Sequence, residues 1–188
     1  MLKPQDVVLL IKLLSQRKKG NKWPQNKLAM HLCISASEVN AIIKRLCKSE
    51  LLRRTTDLPA MITEQSIQPY LPIIKYSEEF LIYGVKYVFP VQLGKYTRGI
   101  ATSYAAPVFE NKIMIGKDPI PVWPYAEGNV RGLTLSPLYP SVPKSLSEYP
   151  DKDFYDLLAL VDAIRNGRAR ERDMAIKILK KRLSNDKE

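Results

Sequence analysis

In this 188-residue chain the side chains best arranged to contact a ligand lie between Gln25 and Leu52. Val39, Ile42, Ile43 and Leu46 recur there at helical spacing, so they form one apolar stripe and turn the residues between them outward. The outward set is Ser37, Glu38, Asn40, Ala41, Lys44, Arg45 and Lys48. A helix face that is small and polar at its start and cationic at its end suits the major groove of double-stranded DNA. Hydroxyl, amide and methyl groups meet base edges there, and cations meet phosphates. On this reading Ser35, Ser37, Asn40, Ala41 and Lys44 face the bases. Gln25, Asn26, Lys27, Arg45, Lys48, Arg53 and Arg54 hold the phosphates.

Two short helices joined by a tight turn would position these side chains. Leu28, Ala29 and Leu32 make the apolar stripe of the first. The second begins near Ala36, because Ser35 stands at the N-cap position and Glu38 follows three residues later as the other half of a capping box. Pro24 opens the preceding helix, which leaves the amides of Gln25, Asn26 and Lys27 free to meet a phosphate. The pattern L-A-x-x-L-x-I-S-x-S-x-V-x-x-x-I-x-x-L, Leu28 to Leu46, resembles the helix-turn-helix of bacterial winged-helix transcriptional regulators. That resemblance implies a β-hairpin wing over residues 53–62, with Arg53 and Arg54 reaching the DNA backbone, although no Asn-Gly or Asp-Gly turn is present. The turn departs from the family in carrying Cys33 where a glycine is usual, and a left-handed backbone would cost a non-glycine residue roughly 1 kcal/mol. Two core helices of an ordinary helical domain would show the same stripes.

Charge separates these readings. The chain carries a net +11, and residues 1–60 hold 12 Lys and Arg against 4 Asp and Glu. Residues 61–150 are nearly balanced, with 8 against 7, and residues 151–188 hold 10 against 8. A basic excess concentrated around the helix-turn-helix points to a polyanionic partner for that part.

Enzymatic chemistry finds little footing. His31 is the only histidine and lies within the helix-turn-helix; no glycine-rich phosphate loop and no Cys-x-x-Cys occurs. The expectation is therefore no catalytic residue, no metal site and no cofactor. Cys33 and Cys47 are expected as small buried hydrophobes in a reducing cytoplasm. Val7 to Leu14 is interrupted by Lys12 and has no cleavage site after it, so it is read as a helix rather than a signal-peptide core. No apolar run approaches the ~20 residues of a membrane span, which makes a cytoplasmic protein without membrane contact the expectation.

The rest of the chain divides by composition. Pro4 opens a first helix whose Val7, Leu10, Ile11 and Leu14 would pack across the helix-turn-helix. From Thr63 to Val88 the periodicity is helical, divided by Pro69 and Pro72. Nine of the 14 prolines fall in residues 89–150, yet apolar residues are too many there for a linker, so a compact, loop-rich lobe is expected. Val108 to Gly116 suggests a hairpin in it, and Pro121 to Pro124 an extended segment. Arg98 and Arg131, each followed by glycine, could clasp an anion or a partner's carboxylates, or bond loop carbonyls. Residues 151–188 read as a helical hairpin broken at Gly167.

The expected fold is mainly α with small β. It comprises a winged helix-turn-helix DNA-binding domain over 1–62, a connector helix and lobe over 63–150, and a C-terminal helical hairpin over 151–188. Segments such as Thr97-Arg98-Gly99, Val130-Arg131-Gly132 and Pro137 to Pro143 are similar to a family of small bacterial winged-helix regulators, some of which accompany toxin or mobile-element defence genes. The reading is a sequence-specific transcriptional regulator, a repressor acting as a homodimer on double-stranded DNA. The alternative is an antitoxin-like interaction module that neutralises a protein partner encoded nearby.

Overall fold

A computed structural model describes residues 1–17, 19, 22–57 and 69–184. It is mainly α with small β, as expected. Helix α1 (Pro4–Gln16) is followed by α2 (Gln25–Leu32), α3 (Ala36–Lys48) and strand β1 (Leu52–Arg54). Strand β2 (Tyr70–Pro72) returns antiparallel to β1, with Arg53 opposite Leu71. The wing thus closes on residues expected to be helical. Pro69 and Pro72 cannot donate to a helical ladder, and the extended stretch between them pairs with β1 instead. Residues 58–68, which hold half of the expected wing and the start of the connector, lie outside the described set.

Helix α4 follows over residues 74–88, α-helical except for a π turn at Phe80–Gly84. Strands β3 (Leu93–Ala101), β4 (Pro121–Pro124) and β5 (Val130–Leu135) then form a small closed sheet, β3 antiparallel to both others and β4 parallel to β5. The segment expected as a hairpin near Val108 forms a 3-10 turn at Pro107–Phe109 and then a bend in which Asn111 takes a positive φ. The chain ends in α5 (Val142–Glu148), α6 (Lys152–Asn166) and α7 (Ala169–Ser184). Gly167 ends α6 in extended backbone, φ −62°, not in the left-handed form a glycine permits.

Helix α1 is buried on all sides: Val7 through Leu14 lie between α3 and α6. Its apolar run, broken only by Lys12 and wider than the one stripe picked out from Val7, Leu10, Ile11 and Leu14, is the mark of a helix covered all round. Lys12, in the middle of that run, is 1% exposed, and its Nζ donates to Asp151 Oδ2 at 2.9 Å. Asp151 is also the N-cap of α6, and it accepts hydrogen bonds from Gln16 and Lys19. Burial lowers the Lys12 pKa against the pull of Asp151; for Asp151, burial is outweighed by Lys12 and Lys19, which hold it below the usual carboxylate value.

Further carboxylates of α6 are tied down in the same way. Asp156 accepts from Arg182 of α7 at 2.6 Å, and Asp162 accepts from Trp123 Nε1 at 2.6 Å, Thr102 Oγ1 at 3.0 Å and Arg165 at 2.7 Å. Arg17 donates to the last carbonyls of α7, at Arg182 and Leu183. Among the described residues, the buried apolar side chains other than Val122 belong to one continuous cluster.

The turn between α2 and α3 has its usual shape. Cys33 sits in the left-handed region, φ 53° and ψ 46°, and so carries the strain a glycine would avoid. Both cysteines are half-buried thiols outside any disulfide. Two predictions follow from this packing. Cys33→Gly should stabilise the fold by about 1 kcal/mol and raise the thermal midpoint by about 2–4 °C, as read by calorimetry. Asp151→Ala should cost about 3–5 kcal/mol in urea unfolding because it strands the Lys12 charge, whereas Lys12→Met with Asp151→Leu should recover most of the loss.

Candidate nucleic-acid interface

Helix α3 inserts Val39, Ile42, Ile43 and Leu46 into the core, all at 0% exposure, and that fixes which face is left over. Ser35, at the N-cap, accepts the Glu38 amide at 3.1 Å. The Glu38 carboxylate does not complete the expected box; it accepts from Gln5 Nε2 at 3.1 Å and from the Tyr139 hydroxyl at 3.4 Å. Helix α1 and the lobe therefore hold Glu38 aside from the free face. Ser35, Ser37 and Lys44 are exposed, while Asn40 and Ala41 are half-buried. The Ser35 and Ser37 hydroxyls lie 3.0 Å apart.

The residues expected on phosphates divide. Asn26, Lys48, Arg53 and Arg54 are exposed. Pro24 is the N-cap of α2, and the first amide to bond back to it is that of Leu28. The amides of Gln25, Asn26 and Lys27 therefore stand outside the helical ladder. Gln25 donates to the Tyr70 hydroxyl at 2.8 Å and so joins α2 to the wing. Lys27 Nζ lies 4.4 Å from the centre of the Trp23 ring.

Arg45 departs from expectation. Its guanidinium grips Asp6 of α1 through Nε to Oδ2 at 2.8 Å and Nη2 to Oδ1 at 2.6 Å. Asp6 is 0% exposed and also accepts the Lys3 amide at 2.9 Å. A carboxylate so buried needs that cation, so Arg45 fastens α3 to α1. The hydrogen bond to Asp6 raises its pKa further.

The lobe braces the turn from outside. Ser141 donates to the Leu32 carbonyl at 2.7 Å and Ser145 to the His31 carbonyl at 2.5 Å, which satisfies the end of α2. The His31 ring lies between Trp23 and Tyr149. Burial, with the charges of Lys12 and Lys27, lowers its pKa and favours the neutral imidazole. Nothing in the sequence marked Ser141, Ser145 or Tyr149 as partners of α2, since they lie more than 100 residues away. Arg98 and Arg131, the other expected pair, stand directly opposite each other on β3 and β5.

Comparison with known proteins adds one relation. Residues 1–67 match the DnaD N-terminal domain. The matched span covers α1 to β1 and stops short of β2, and it supports a DNA-binding or replication-related role. No curated protein and no solved structure matches the chain. Among the described residues no helix is long and apolar enough to cross a membrane, and no group of three or more His, Cys, Asp or Glu is placed to hold a metal ion.

The two cations near the end of α3 should separate cleanly. Arg45→Ala should destabilise folding by about 3 kcal/mol, because it leaves Asp6 buried and unpaired. Lys48→Ala, on the exposed side, should change stability by less than about 0.5 kcal/mol. Chemical unfolding of both variants reads the difference directly.

Proposed function

We propose that the protein is a sequence-specific transcriptional regulator, a repressor that binds double-stranded DNA as a homodimer with α3 in the major groove. The observation that carries this reading is the free face of α3. Ser37, Asn40, Ala41 and Lys44 lie on the side away from the buried stripe, on a rigid helix capped by Ser35 and fastened to α1 through Arg45. Hydroxyl and amide groups there can donate to and accept from base edges, and Lys44 suits the acceptors of guanine. Asn26 and the free amides of α2 take a phosphate on one side. Lys48, Arg53 and Arg54 take phosphates on the other. Two copies on a two-fold site would place their α3 helices one DNA turn apart, about 34–36 Å. The exposed Tyr83 and Tyr87 of α4 support pairing of copies through that helix.

The match to the DnaD N-terminal domain favours a second reading, in which the same head holds DNA during replication and not at a promoter. The two readings differ in where the protein binds. A regulator prefers a defined upstream sequence, and a replication factor follows an origin or a DNA structure.

Binding of α3 variants to the chain's own upstream DNA tests the proposal. Lys44→Ala should weaken specific binding by about 1–3 kcal/mol and relax base preference. Arg53→Ala should weaken all sequences alike and make the salt slope shallower by about 1. A hydroxyl-radical footprint should show two protected half-sites. Unchanged affinity and preference in both variants would sink the assignment of this face.

A further inference from the structure

The two Arg-Gly dipeptides meet in the sheet. Arg98 of β3 and Arg131 of β5 are register partners in an antiparallel ladder, as are Thr97 and Gly132. Directly opposite residues put their side chains on the same face, about 5 Å apart at the base. Like charges so placed repel each other. Both side chains are exposed, and neither has a hydrogen bond or ion pair among the described residues. They therefore do not hold loop carbonyls, the alternative open from the sequence. The next pair on that face, Tyr96 opposite Leu133, puts an aromatic ring at 58% exposure beside them.

The glycines that follow explain how the two strands reach this arrangement. A side chain at Gly99 would begin 1.9 Å from the Trp123 carbonyl oxygen, and one at Gly132 would begin 2.0 Å from that of Ile120. The backbones converge at these points, and the arginines are driven to the outside of the closed sheet.

The chemistry selects phosphate. One guanidinium fork already fills both oxygens of a carboxylate in a single plane. Two forks side by side suit a tetrahedral group with oxygens facing both of them.

The placement selects the phosphate's source. The Arg98 carbonyl accepts from Tyr125 at 3.1 Å, and Tyr125, Glu127, Gly128 and Asn129 share a cleft with Pro150, Asp151 and Lys152. Asp151 holds Lys12 and Lys19 of the head, and Tyr149 packs on His31 of α2. The backbone of the arginine pair is thus linked, through Tyr125 and this cleft, to the segment 149–152 that contacts the head.

We propose that Arg98 and Arg131 form a second DNA contact, gripping one backbone phosphate of the duplex that α3 reads and extending the footprint past the winged helix. This inference rests on the DNA-binding reading above. Its test is fluorescence anisotropy of the full chain on its upstream duplex across a salt series, comparing wild type with Arg98→Ala plus Arg131→Ala. The double variant should have a salt slope shallower by about 1, an unchanged preference for the native over a scrambled sequence, and a footprint shortened on one flank. Its thermal midpoint should be equal or higher, because a like-charge pair has been removed. Arg98→Lys plus Arg131→Lys should keep the slope. A steep wild-type slope that the double alanine variant leaves unchanged overturns this contact alone. A shallow slope in the wild type overturns it together with the DNA-binding reading.

Discussion

A carboxylate taken out of water must find a cation or several donors, and along α6 that requirement is met in three directions. Asp151 reaches Lys12 of α1, Asp156 reaches Arg182 of α7, and Asp162 reaches Trp123 of the sheet. The apolar surface of α6 would accept neighbours in many orientations, since hydrophobic contact is not directional. The acids remove that freedom. Each pair contributes little net stability against an apolar replacement, but a misplaced neighbour would leave a charge stranded. The position of the helix-turn-helix relative to the lobe rests on this constraint, through Asp151 above all.

The same constraint fixes α3, the helix proposed to face DNA. Helix α1, covered by α3 on one side and α6 on the other, has two charged residues that are buried. Asp6 takes Arg45 from α3, and Lys12 takes Asp151 from α6. One helix thereby aligns α3 with the body of the protein. The lobe completes the support from outside, with Ser141 and Ser145 on the end of α2 and Tyr139 on Glu38. Residues that hold a recognition face within a fraction of an ångström are as necessary to it as those that touch bases.

The elements held by local signals were legible in the sequence. Ser35 caps α3 through a bond three residues away, and the stripe from Val39 to Leu46 has one period and one side, so both could be read directly. The C-terminal pair of helices was legible for the same reason. What the sequence hid was long-range. Arg45 has the type and position of a phosphate contact, and only the fold brings Asp6 beneath it. Tyr70 to Pro72 carries no strand signal of its own; it is a strand because β1 lies beside it. Lys12 interrupts an apolar run, and that interruption is a legible sign of a buried partner, but Asp151 lies 139 residues away. Arg98 and Arg131 were each recognisable by the glycine that follows. Their register needed the sheet, because loop closure over some 30 residues leaves no local trace.

On the proposed reading α3 distinguishes one sequence from another, and the surrounding basic residues do more than hold nucleic acid loosely. Anisotropy titrations of the unmodified protein with its own upstream duplex and with a scrambled duplex of equal length, repeated across a salt series, test it most directly. Binding to the native duplex should be tighter by about 10³-fold or more, with a steep negative salt slope on both. Equal and weak affinity for the two duplexes would contradict it.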